Sequence, residues 1–307
     1  MIKIKKAIIA GATGLIGREL VNILTNKGIE VLAVVRPNSP NFNLLKNNAL
    51  LSIVENDINH LEELKDKVSA VYDVFFHLAW QGVYGSARDD GFLQCADIGN
   101  TLTAVKIAKA LGCKKFIGAG SQAEVGIVNE KIGSNTIANP QTFYGIAKNT
   151  ALNMSKLLAE KEGIEFNWGR ILSVYGANDA PYTMVMTMLK KMLEGQVCDL
   201  SSGEQIWDFL YSTDAAQAFY HIAKYGKNKK VYPVGSGIGK PLKEYILKMY
   251  EIVDNKKATL NFGAIAFNSQ SIKYLCADMT DIEKDTGFKP KVTFEEGIKK
   301  TIASLKN

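Results

Sequence analysis

What the chain has little of narrows the field first. Four cysteines, Cys95, Cys113, Cys198 and Cys276, stand far apart in 307 residues. No C-x-x-C pair and no Cys/His cluster occurs, so neither a zinc site nor a disulfide framework is expected, and no metal is assigned. Only three histidines are present, His60, His77 and His221. No apolar run reaches the roughly 18 residues that a membrane span needs. The basic start, Met1 to Lys6, leads through a short apolar stretch into a glycine turn, which reads as a strand and not as a signal peptide. Basic blocks with interleaved aromatics are missing, so nucleic acid is not expected as a partner. The net charge of +6 comes from scattered lysines and suits an anionic small substrate as well as a solvated surface. A reducing cytoplasm is the expected location.

What is present concentrates in the first 36 residues. The apolar run Ala7-Ile-Ile-Ala10 enters Gly11-Ala-Thr-Gly14-Leu-Ile-Gly17, a helical pattern follows, and a second apolar run, Glu30 to Val35, ends at Arg36. Strand, glycine turn, helix and strand in that order make the first half of a dinucleotide-binding fold. Gly11 permits the sharp turn, Gly14 the close approach of a pyrophosphate, and Gly17 tight helix packing. Thr13 adds a hydroxyl, and the helix start at Leu15 and Ile16 offers free N–H groups to phosphates. The spacing is G-x-x-G-x-x-G rather than G-x-G-x-x-G. Arg36 lies 19 residues after Gly17, where an acidic residue would bind the ribose 2′-hydroxyl of NAD. An arginine there suits the 2′-phosphate of NADP, so NADP is expected over NAD. Ser39 and Asn38 can add hydrogen bonds to the same phosphate.

Further strands are expected at Leu50–Val54, Tyr72–Ala79, Lys114–Ala119 and Phe166–Leu172, with helices at 92–111 and 144–162 between them. Such alternation implies an α/β protein with a Rossmann-type, doubly wound parallel sheet. Beyond residue 176 the pattern loosens. Helices are expected at 184–193, 214–225, 241–253, 278–286 and 294–305, and strands at 207–211 and 230–235. The chain then divides into an NADP-binding domain, 1–176 plus 207–235, and a smaller C-terminal substrate-binding lobe, 177–206 plus 236–307. The active site belongs at the carboxyl ends of the strands.

Ser121 and Tyr144-Gly-Ile-Ala-Lys148 carry the chemistry. Tyrosine and lysine four residues apart share a helix face. A free phenol titrates near 10, too high for proton transfer at neutral pH, and a nearby ammonium lowers it. The lysine can also hydrogen-bond the nicotinamide ribose. Ser121, at a strand end, can bind a carbonyl or alcohol oxygen. The set suits hydride transfer between cofactor and substrate, with Tyr144 carrying the proton.

Taken together the motifs resemble an extended short-chain dehydrogenase/reductase of the nucleotide-sugar epimerase/dehydratase group. The matching pieces are Gly11–Gly17, Asp57-Ile58, His77-Leu-Ala-Trp80, Ser121-Gln-Ala-Glu-Val-Gly126, Tyr144–Lys148, Arg170–Gly176 and Trp207-Asp-Phe-Leu-Tyr211. The resemblance implies that Tyr144 is the acid/base, Lys148 its partner and Ser121 the hydroxyl donor. It implies that Asp57 and Ile58 flank the adenine and that Leu78, Ala79, Trp80 and Ile171 lie along the cofactor. Trp80, Ser121, Gln122, Tyr144, Ser173 and Trp207 are the expected substrate residues, and His77 is expected to be structural. Family members often dimerise through helices near 92–111 and 144–162, so a homodimer is expected.

Departures from the family choose among activities. The 4,6-dehydratases carry an Asp-Glu pair after the catalytic Ser/Thr; here Gln122-Ala123 follows, and Glu124 comes one residue late. Trp207 replaces a frequent arginine that meets the substrate pyrophosphate, Ser173 a frequent asparagine, and Asp97-Ile-Gly-Asn-Thr101 the Asn-x-x-Gly-Thr segment, with no role assigned to Asp97. Epimerases and dehydratases regenerate their cofactor, usually NAD, within each cycle, whereas a net reductase consumes NADPH. With Arg36, the reading is an NADPH-dependent reductase of a nucleotide-linked 4-keto-6-deoxyhexose, close in look to CDP-abequose synthases and dTDP-4-dehydro-6-deoxyglucose reductases. The alternatives are a 4- or 3-epimerase with retained cofactor and a non-catalytic NAD(P)-binding protein of the same fold.

Overall fold

A computed structural model describes residues 2–266 and 272–306. Six strands alternate with helices from the N-terminus: β1 (Lys6–Ala10), β2 (Glu30–Val35), β3 (Leu51–Glu55), β4 (Val74–His77), β5 (Lys115–Ser121) and β6 (Glu165–Ile171). The intervening helices are α1 (Leu15–Asn26), α2 (Leu64–Lys67), α3 (Gly91–Ala110) and α4 (Phe143–Glu162). With the edge strand Lys230–Val234 they form a seven-stranded sheet. Its order is edge strand, β6, β5, β4, β1, β2, β3, and every pairing is parallel. The order reverses between β1 and β4, so a crevice opens at their carboxyl ends. That is where the glycine turn and the Leu78-Ala79-Trp80 segment begin.

Two apolar layers cover the sheet. One face packs under α1 and α6 (Ser212–Tyr225), with Leu20, Leu24, Ala215 and Phe219 fully buried. The other packs under α3 and α4, where Phe75, Phe116, Phe166 and Trp168 stack across β4, β5 and β6 with ring centroids 5.9, 6.1 and 6.0 Å apart. A third core joins α5 (Met184–Leu193), α7 (Leu242–Val253) and the C-terminal helix Phe294–Leu305 around Tyr175, Phe209, Tyr245 and Phe294. Tyr175, Phe209 and Tyr211 enter this core from outside the expected lobe ranges 177–206 and 236–307. Met1, residues 267–271 and Asn307, which fall within the expected domain ranges, lie outside the described residues. Among the described residues no helix is long and apolar enough to cross a membrane.

The run 207–211, expected as one strand, is two. Ile206–Trp207 pairs antiparallel with Lys240–Pro241, and Phe209–Tyr211 pairs parallel with Ser173–Tyr175. Of the segment 207–235, only Lys230–Val234 joins the central sheet. Asp208 makes the break. Its fully buried carboxylate accepts from Ser236 N at 2.8 Å, Ser236 Oγ at 2.6 Å, Gly237 N at 2.9 Å and Ala277 N at 3.0 Å. A buried carboxylate needs such donors, and these come from loops distant in sequence.

Candidate active site

The glycine turn, the loop after β2 and the loop after β4, which carry most of the expected cofactor residues, meet at the crevice. Gly11 has φ +85°, and a Cβ there would stand 2.7 Å from the backbone nitrogen of Ala79. A Cβ on Gly17 would strike the Gly11 carbonyl oxygen. Turn, helix start and β4 loop are therefore held at backbone contact. Gly14 is the N-cap of α1, and no side chain caps that helix, which leaves its first-turn N–H groups to a ligand. This cradle fits a dinucleotide phosphate. Ser39 donates a hydrogen bond to Thr13 Oγ1 at 3.0 Å, bringing the loop after β2 against the glycine turn. Arg36, one residue beyond β2, is exposed beside that loop. Leu78 extends β4 by donating to Ala10 O at 2.8 Å. Asp57 caps the short helix Ile58–Glu63, accepting from Asn59 N. Ile58 packs against the core beneath α3 and α4.

The catalytic candidates sit two strands away. Ser121 ends β5, pairs in register with Ile171 of β6, and caps the turn Gln122–Glu124. Tyr144 and Lys148 are one turn apart on α4, whose N-cap Thr142 accepts from Gly145 N at 3.0 Å. Tyr144 is buried, and burial pushes its phenol above the ordinary range; the Ser121 hydroxyl and the Arg88 charge oppose that. Lys148 is buried as well. Its ammonium donates to Ala119 O at 2.8 Å and lies 3.6 Å from the centroid of the Trp80 ring. Sequence spacing places this ammonium at the phenol, yet it stands 5.9 Å from the Tyr144 ring centroid, while Arg88 Cζ stands 4.3 Å from it. A backbone carbonyl and an indole face, both close, hold the lysine in place.

Burial lowers Lys148 to about 7, against the pull of the Glu124 and Asp97 carboxylates. The folded protein therefore binds one proton fewer than the unfolded chain between about pH 7 and 10.5. This group's contribution to stability rises with pH through that window and is least favourable below it. Lys148→Met removes the charge at constant length. The expected result is a ligand-free protein more stable by about 1–2 kcal/mol at pH 6, the gain shrinking as pH rises towards 10. Urea unfolding across pH checks this, and a loss of stability at pH 6 contradicts it.

Several residues without an assigned role organise the site. Glu124 is fully buried and accepts from Ser121 N at 2.8 Å, Trp168 Nε1 at 2.8 Å and Arg170 Nε at 2.9 Å. Arg170, itself buried, also donates to Gly133 O. An arginine inside the apolar strand 166–172 was the available signal, since a buried charge requires a partner. Gln94 accepts from Trp80 Nε1 at 2.9 Å and donates to Gly82 O and Ala87 O, pinning the loop after β4. Asp97, fully buried, accepts from Gln81 N at 2.8 Å, and burial raises its carboxyl. His77 is buried against Thr101, and burial lowers it to about 3, in keeping with a structural role.

A cavity of about 560 Å³ adjoins this centre. Gln122, Thr142, Arg88, Gln205, Trp207 and Ile265 are among its walls. Trp207 donates its indole N–H to Ser173 Oγ at 3.0 Å, so Ser173, behind the wall, fixes the ring. Trp80 meets Tyr144 edge-on at 6.2 Å and carries Lys148 on its face, an arrangement in which the ring braces both side chains.

Residues 7–235 match the model of the NAD dependent epimerase/dehydratase family. The chain belongs to this family. It is 24% identical to CDP-abequose synthase of Salmonella typhimurium, covering 97% of each chain. It is 25% identical to dTDP-4-dehydro-6-deoxyglucose reductase of Escherichia coli, again covering 97% of each. A solved structure of UDP-glucuronic acid 4-epimerase from Bacillus cereus, in complex with UDP-glucuronic acid and NAD, superposes with a TM-score of 0.84 at 21% identity, covering 98% of this chain and 99% of that one. The chain thus belongs to a family of nucleotide-sugar modifying enzymes.

Proposed function

We propose that the protein is an NADPH-dependent reductase that converts the 4-keto group of a nucleotide-linked 4-keto-6-deoxyhexose to an alcohol. Arg36 carries the reading. It stands exposed just past β2, beside the Ser39–Thr13 hydroxyl pair, and residues 36–40 include no carboxylate for a ribose 2′-hydroxyl. Glu124 supports it too. With both oxygens held by buried donors, that carboxylate is not free to act as an elimination base.

Gly11, Thr13, Gly14, Leu15, Ile16 and Gly17 would hold the pyrophosphate, Arg36 and Ser39 the 2′-phosphate, and Asp57 and Ile58 the adenine end. Leu78, Ala79, Trp80 and Ile171 would line the path to the catalytic pair. When bound, the nicotinamide would supply hydride. Ser121 would orient the ketone oxygen by hydrogen bonding, Tyr144 Oη would deliver the proton to that oxygen, and Lys148 would steady the cofactor ribose beside Trp80. Gln122, Ser173 and Trp207 would hold the sugar nucleotide in the cavity. Exposed Phe92, Ile146, Met154 and Leu157 on α3 and α4 support the further reading of a homodimer.

Substrate-dependent loss of NADPH absorbance across CDP- and dTDP-4-keto-6-deoxyhexoses tests the reaction, and no loss with any of them overturns it. Arg36→Ala should weaken NADPH by about ten- to a hundredfold and leave NADH nearly unchanged, as expected for one lost charge-assisted phosphate contact. Equal weakening of both in a binding titration removes the cofactor argument. The second reading, an epimerase with retained cofactor, draws on the NAD in the Bacillus cereus complex. Mass analysis of the nucleotide that co-purifies separates the two: tightly bound NAD favours the epimerase.

A further inference from the structure

Arg88 lies in the loop between β4 and α3, in a segment with no readable periodicity. Its guanidinium carbon stands 4.3 Å from the centroid of the Tyr144 ring, closer than the Lys148 ammonium at 5.9 Å. It lines the cavity. Its side-chain hydrogen bond goes to Val83 O at a long 3.4 Å. No ion pair among the described residues includes it. The loop that carries it is built to hold still. Gln94 bonds Ala87 O, the adjacent residue, as well as Gly82 O and the Trp80 indole, and Asp90 caps α3 immediately beyond.

A cation on the face of an aromatic ring is attracted by the ring's electron density, and a phenolate ring holds far more of it than a phenol ring. We propose that Arg88 is a positioning residue that acts through Tyr144, its charge on the ring face favouring the phenolate and supplying the counter-charge that sequence spacing assigns to Lys148. The catalytic consequence rests on the reading of Tyr144 as acid/base; the electrostatic effect does not. The other groups facing the phenol are Ser121 and Glu124 at the end of β5, Asp97 from α3, Lys148 from α4, and Trp80 and Tyr84 from Arg88's own loop. The two carboxylates push the phenol up, Ser121 and Arg88 push it down, and burial outweighs them.

Fluorotyrosine incorporated into the full chain lets fluorine NMR follow Tyr144 directly, its resonance assigned by its loss in Tyr144→Phe. Arg88→Met keeps the stem and removes the charge; Arg88→Lys keeps the charge. The expected result is a Tyr144 midpoint raised by about one pH unit in the Met variant and by clearly less in the Lys variant. An unmoved midpoint in Arg88→Met overturns the proposal, as does an equal rise in both variants, which would make stacking volume the cause. The pH profile of kcat provides the second readout. A profile that moves with the NMR midpoint, at little change in KM, supports the catalytic role. A profile that stays put while the midpoint moves leaves the ring effect of Arg88 standing and overturns the acid/base reading of Tyr144.

Discussion

Tyr144→Phe lowers kcat by about a thousandfold or more while NADPH affinity stays within about twofold, because only proton delivery is lost. The substitution preserves the packing. The ring keeps its edge contact with Trp80 at 6.2 Å and remains beneath Arg88, and only the buried hydroxyl is deleted. The proposed phosphate and adenine contacts lie on the other side of the crevice, on the turn after β1 and the loops after β2 and β3. No other phenol or histidine replaces the lost group. Tyr84 points into a contact with Tyr182 at 5.0 Å, and His77 is held unprotonated by burial. Steady-state turnover together with a fluorescence titration of bound NADPH checks both halves. Full activity in this variant would sink the mechanism.

Glu124→Ala is expected to cost about 3–5 kcal/mol of stability, because it strands the buried Arg170 charge. Arg170 and Glu124 are both buried, so solvent cannot compensate for the missing carboxylate. Ser121 N and Trp168 Nε1 lose their acceptor in the same step. The double variant Glu124→Leu/Arg170→Met separates these effects. It removes both charges and should recover part of the loss, the remainder coming from the two donors left without an acceptor. Chemical unfolding of the two variants gives the comparison. Because Glu124 also fixes the turn that begins at Ser121, the double variant should turn over more slowly than its stability alone predicts. A single variant as stable as the parent would show that Arg170 finds another partner.

Much of the architecture was readable because it depends on local order. Apolar runs bounded by glycines and polar turns place β1 to β6 within a residue or two of where they stand. The run 207–211 failed for a physical reason. Nothing within five residues shows that Asp208 is enclosed by donors 28 and 69 positions away. Glu124 was read as a carboxylate one place too late for elimination; only the neighbouring strand, with Trp168 and Arg170, shows what it does instead. Arg88 carried no signal at all, since its loop has no repeat to read and its partner lies on another element.

The amino-acid order by itself determined the parallel sheet, the glycine turn after β1, and the single helix turn that sets Tyr144 and Lys148 on one face. Each depends on spacing over a few residues, and backbone geometry turns such spacing directly into shape. The tertiary structure alone decided which cation stands on the phenol, where the Lys148 ammonium goes, and how Glu124 and Arg170 meet across 46 residues. Those outcomes follow from which strands become neighbours and how deeply each charge is buried, and both arise only once the sheet has assembled.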